Sequence, residues 1–142
     1  MKNVHILLVE DNEGDILLTV EALEEGRIAN KIEVARDGQE AIDKLEKNLK
    51  EQTLPDLILL DINLPKMNGH EVLERLKEAE GLKHIPVIIL STSSSEMDIL
   101  KSYKNHANCF ITKPVEIDEF VNAIESIEDF WFSIVKLPTI QN

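Results

Sequence analysis

The sequence predicts an α/β protein built on one parallel sheet, and three observations carry that reading. Five short apolar runs rich in Val and Ile recur along the 142 residues: Val4–Val9, Ile32–Ala35, Leu57–Leu60, Val87–Leu90 and Cys109–Ile111. Runs such as Leu57-Ile58-Leu59-Leu60 are continuous rather than alternating with polar residues, as strands covered on both faces require. Longer amphipathic stretches lie between the runs, and strand–helix alternation implies parallel strands joined by right-handed crossovers.

Each element has its own signal. Val4–Val9 is the first strand, stopped by Glu10-Asp11; Ile16, Leu17, Val20 and Leu23 then recur at helical spacing up to Gly26. The second strand, Ile32–Ala35, meets the breaker Asp37-Gly38, and Ala41, Leu45 and Leu49 mark the second helix, closed before Pro55. Leu57–Leu60 is the third strand; Pro65 and Gly69 punctuate its exit, and Val72, Leu73 and Leu76 define the next helix, ended by Gly81. Pro86 opens the fourth strand, which runs into the polar stretch Ser91–Ser95. Cys109–Ile111 and Pro114 precede the last helix, with Ile117, Phe120, Val121, Ile124 and Ile127 on its apolar stripe. The sum is a (βα)5 three-layer sandwich, for which the flavodoxin-like strand order 2-1-3-4-5 is favoured.

Composition narrows the class. At roughly 150 residues per domain the chain is one domain, large enough for a core without disulfide or structural metal. The 27 Asp+Glu against 15 Lys+Arg leave a net charge of −12, a poor match to nucleic-acid backbones, which need clustered cations. A single cysteine, Cys109, excludes an intramolecular disulfide and a multi-cysteine metal site. The first twelve residues form neither a signal peptide nor a membrane span of ~20 apolar residues. A cytoplasmic protein that binds neither nucleic acid nor membrane is expected.

In an open parallel sheet, ligands bind beyond the carboxyl ends of the strands at the switch point between the first and third. Glu10 and Asp11 lie at the exit of the first strand, Asp61-Ile62-Asn63 at that of the third, Ser91 at that of the fourth and Lys113 at that of the fifth. Three carboxylates, a hydroxyl and an ammonium thus meet at one edge. Unrelieved, the carboxylates repel one another. A hard divalent cation with oxygen ligands, Mg²⁺ or Mn²⁺, relieves this. Asp61 could then serve as a nucleophile toward phosphorus, with Lys113 and Ser91 on the phosphoryl oxygens.

These residues resemble the receiver domains of bacterial two-component response regulators, the CheY-like group. The matching residues are Glu10-Asp11, Asp61 with Leu64-Pro65 and Gly69, Ser91 closing Pro86-Val87-Ile88-Ile89-Leu90-Ser91, and Lys113-Pro114, within residues 3–129. The resemblance implies that Asp61 accepts a phosphoryl group from a phosphohistidine on a sensor histidine kinase. It implies that Asp11, Asp61 and the carbonyl of Asn63 ligate the cation, with Glu10 acting through water. Ser91 and Lys113 would engage the phosphoryl group, and Phe110 would be the aromatic switch residue that moves with Ser91. The Lys113–Pro114 bond is typically cis in that family. Glu10-Asp11-Asn12-x-Gly14-Asp15 with Leu17-Leu18, and the end Phe130-Trp131-Phe132…Val135-Lys136-Leu137-Pro138, are similar to the single-domain regulators that partner phytochrome-type kinases. One departure stands out: receivers usually carry Ala-Gly-Ala where this chain has Asn105-His106-Ala107.

Rival readings fail on mechanism. Asp11-x-Glu13-x-Asp15 is no calcium loop, because Ile16 stands where glycine is required and Ala22 where the bidentate Glu belongs. Asp61-Ile62-Asn63 is similar to the Asp-x-Asp of haloacid-dehalogenase-type phosphatases, but Asn63 cannot replace their second Asp as a general acid. The expected activity is a phosphoacceptor switch with at most slow autophosphatase action, and a phosphorylation-independent scaffold is the alternative. Ser91 is favoured over Thr92 as the switch hydroxyl by its spacing from Pro86. The four histidines show no ligand spacing and read as surface or packing residues, and Cys109 as a small buried hydrophobe.

The six aromatics all lie in the last third of the chain, three of them consecutive at Phe130, Trp131 and Phe132. A receiver should end near Asp129, leaving 130–142 as an aromatic extension of the last helix, with Phe120, Ile124, Ile127, Trp131 and Val135 on one stripe. Clustered aromatics mark interfaces. The extension, with the surface of the fourth helix, fifth strand and fifth helix, is therefore the favoured place for homodimer or kinase contact, the alternative being that it folds back on its own domain, and no separate output domain is expected.

Overall fold

The structure is a computed structural model and describes residues 4–25, 29–91, 96–107, 109–113 and 116–128. Its elements run β1 (Val4–Val9), α1 (Glu13–Glu25), β2 (Ala29–Ala35), α2 (Gly38–Glu51), β3 (Leu57–Asp61), α3 (Gly69–Glu78), β4 (Val87–Ser91), α4 (Glu96–Lys104), β5 (Cys109–Thr112) and α5 (Ile117–Glu128). All strand pairs are parallel, in the order β2-β1-β3-β4-β5. The predicted architecture is the observed one.

Alternation along each strand splits the apolar residues between two faces. Leu7, Val9, Ile58, Leu60, Val87 and Ile89 pack with Ala41, Leu45, Val72, Leu73 and Leu76 of α2 and α3. Ile6, Leu8, Leu57, Leu59, Ile88 and Leu90 pack with Ile16 and Leu23 of α1 and Phe120 and Ile124 of α5. Both faces of the central strands are therefore covered, which is why β3 and β4 are buried along their whole length. Cys109 is half-buried rather than fully buried, at the margin of the α1–α5 face, and this burial pushes its thiol up.

Local chemistry sets the helix starts. Asp37 accepts a hydrogen bond from the Glu40 N–H and Asn68 accepts one from the Glu71 N–H, capping α2 and α3. Asn12 does the same for α1, its Oδ1 accepting from the Asp15 N–H at 2.9 Å. Gly69 is required by close approach: a Cβ there would lie 2.4 Å from the Asp61 carbonyl oxygen, so this helix start can sit directly against the exit of β3. The departure at His106 has a geometric meaning. His106 is left-handed, with φ 68°, and closes α4: its N–H donates to the Tyr103 carbonyl and the Ala107 N–H to the Ser102 carbonyl. This is the turn that glycine usually occupies.

Candidate functional site

Strand register brings the predicted residues to one edge. Val9 pairs with Leu60, Asp61 with Leu90, and Ser91 with Thr112, so Glu10, Asp61, Ser91 and Lys113 all stand at strand exits. Carboxylate oxygens of Glu10, Asp11 and Asp61 lie within 4.8 Å of one another. Glu10 and Asp61 are buried, whereas Asp11 is exposed. Their three hard oxygen donors fit a hard divalent cation.

Lys113 is the counter-charge in the middle of this group. Its Nζ donates to Glu10 Oε2 and lies 3.0 Å from Asp61 Oδ2. It is itself buried, and its backbone N–H donates to the Ser91 carbonyl at 2.7 Å, fixing the exit of β5 against β4. Burial pushes Glu10 up to about 7, against the opposing pull of its bond to Lys113. Burial pulls Lys113 down, but its bonds to Glu10 and Asp61 more than offset this, and its ammonium is held above the usual lysine range. Asp61 Oδ1 accepts from the Asn63 N–H at 2.9 Å. This bond shapes the turn after β3 and sets the Asn63 backbone beside the carboxylate.

Ser91 is fully buried one residue beyond Leu90, the partner of Asp61. Phe110 lies upstream of Lys113 on β5, half-buried against the α2–α3 side of the core, and its N–H donates to the Tyr103 hydroxyl of α4 at 3.2 Å. Thr92, Ser93, the Lys113–Pro114 bond and the aromatics Phe130, Trp131 and Phe132 lie outside the described residues.

One member of the cluster has no assigned part in the sequence-based site. Asp15, in the first turn of α1, places Oδ2 3.0 Å from Lys113 Nζ. The available signal was its place in the segment Glu10-Asp11-Asn12-x-Gly14-Asp15, four residues after Asp11. The histidines behave as packing and surface groups: His70 is buried with Nε2 3.2 Å from Asp98 of α4, and His84 and His106 are exposed.

Comparison with known proteins agrees with this geometry. Residues 6–125 match the response regulator receiver domain, and the chain belongs to that family of phosphorylation-controlled signalling domains. Its relatives are more specific than the family. Response regulator Rcp1 of Synechocystis sp. is 41% identical over 135 residues, covering 94% of this chain and 92% of that protein. The phosphorylated cyanobacterial phytochrome response regulator RcpA superposes with a TM-score of 0.92 at 44% identity, covering 97% of this chain and 100% of RcpA. The Mn²⁺-bound form of Rcp1 superposes at 0.89 with 40% identity, covering 96% and 99%. The chain is thus a response regulator receiver similar to those of phytochrome signalling. Among the described residues no helix is long and apolar enough to cross a membrane.

Proposed function

We propose that Asp61 is the phosphoacceptor of a receiver unit spanning residues 1–129, charged by a sensor histidine kinase of the phytochrome type. The observation that carries this is the Lys113 ammonium 3.0 Å from Asp61 Oδ2, where Asp61 also belongs to the carboxylate cluster of Glu10, Asp11 and Asp61. An oxygen of Asp61 attacks phosphorus; the new P–O bond forms as the P–N bond of the kinase phosphohistidine breaks. Asp11, Asp61 and the Asn63 carbonyl would hold Mg²⁺ or Mn²⁺ directly, with Glu10 acting through water. Bound there, the cation neutralises charge on the transferring phosphoryl group. Lys113 donates to a phosphoryl oxygen, and Ser91 donates to another. Asn63, unable to act as an acid, leaves the phosphoryl group in place long enough to signal.

The output reading is a shift of the α4–β5–α5 surface, with Ser91 and Phe110 as its switch, read by a second copy of the chain or by another protein through that surface and residues 130–142. Supporting it, Leu100 and Tyr103 of α4 are exposed at 68% and 48%, and Tyr103 is tied to the Phe110 backbone. Asp61→Asn should abolish labelling by acetyl phosphate with Mg²⁺. Acid-stable label retained in that variant contradicts the assignment.

A further inference from the structure

We propose that Asp15 is a positioning residue for phosphoryl transfer at Asp61: it holds the Lys113 ammonium in place once the cation and the phosphoryl group have claimed the other carboxylates. The proposal rests on Asp61 as the acceptor. An ammonium has three N–H donors and no acceptor. Lys113 spends them on Glu10, Asp61 and Asp15. Glu10 and Asp61 also belong to the carboxylate group that fits a divalent cation, and Asp15 does not. When a cation and a phosphoryl group occupy the site, the oxygens of Glu10 and Asp61 are drawn toward them. Asp15 is then the acceptor of Lys113 that neither event takes away.

Asp15 is built for that task. Its backbone N–H is fixed by Asn12 Oδ1 at 2.9 Å, and the Asn12 N–H in turn donates to Glu10 Oε1 at 3.2 Å. The segment 10–15 therefore links the two carboxylates that hold the same ammonium from opposite ends of one helix start. A lysine side chain is a flexible four-carbon stem. With one permanent carboxylate partner its Nζ stays aimed at the phosphoryl oxygen; without one, each transfer must find that geometry again.

Two mechanisms for Asp15 make opposite predictions. If Asp15 acted only as a nearby negative charge, removing it would ease the approach of an anionic phosphoryl group, and labelling would speed up. If it positions Lys113, Asp15→Ala should slow labelling by acetyl phosphate at saturating Mg²⁺ about tenfold, the low end of what orienting partners contribute at such sites. Asp15→Asn, which keeps an acceptor oxygen, should fall between Ala and wild type, and Asp15→Glu should recover most of the rate. The Mg²⁺ dissociation constant by calorimetry should change less than about threefold across the series, and in a Lys113→Ala background Asp15→Ala should add nothing further. Unchanged or faster labelling in Asp15→Ala and Asp15→Asn overturns the proposal, as does a full effect in the Lys113→Ala background. Label that survives Asp61→Asn overturns the acceptor reading, and the role of Asp15 falls with it.

Discussion

Glu10 and Lys113 show how burial and pairing oppose each other at one site. Glu10 ordinarily titrates at 4.5, and burial pushes it up to about 7 despite the ammonium beside it. The sign follows from linkage. Between these two values the folded, metal-free protein binds a proton that the unfolded chain has released, so the contribution of Glu10 to stability falls as pH rises through that window. A cation needs the ionised carboxylate and displaces that proton. Mg²⁺ affinity should therefore climb from about pH 5.5 to about pH 7.5 and then level off. Calorimetric titration across that range checks it, and a flat profile would remove Glu10 from the cation site. Asp15 belongs to the same scale and shows the limit of reading residues singly. Its partner Lys113 is 98 positions away. Nothing in the local pattern at 11–15 states that a fifth-strand lysine will arrive there.

At the scale of elements, the strands were legible because each centres on a short apolar run, continuous in β3 and β4, and a buried parallel strand leaves few alternatives. Their extents were less so. β2 begins at Ala29, ahead of its apolar run, because the polar Lys31 still pairs with His5 across the ladder. The end of α4 is the most informative departure. His106 holds a left-handed conformation, which costs a non-glycine residue about 1–2 kcal/mol. Glycine would recover that, offset by about 0.5–1 kcal/mol of extra unfolded-chain entropy. His106→Gly should thus stabilise the protein by about 0.5 kcal/mol in urea unfolding; a loss of stability would mean that the histidine side chain makes a compensating contact. Ties from α4 to the rest of the molecule include His70–Asp98 to α3 and Tyr103–Phe110 to β5. Neither pair follows from periodicity, since side chains on separate elements meet only once the sheet order is set.

For the whole molecule, the site is a consequence of topology. Parallel strands in the order 2-1-3-4-5 bring four strand exits to one edge, and residues from positions 10 to 113 converge there. The cluster of Glu10, Asp11, Asp61 and Lys113 was legible for that reason, through the switch-point rule and the receiver resemblance together. The proposed output is a property of the same scale. If residues 130–142 complete a homodimer, their removal should give a monomer by light scattering while acetyl-phosphate labelling persists; a full-length protein that is monomeric in both phosphorylation states contradicts the dimer. The central claim is that one aspartate, in a cation-dependent site, takes the phosphoryl group. Treating the protein with acetyl phosphate, trapping the acyl phosphate with borohydride and mapping the modified residue by mass spectrometry tests it most directly. The expected result is a single modification at Asp61 that disappears when Mg²⁺ is chelated. Modification of another residue, or at Asp61 without any dependence on the cation, would contradict the account.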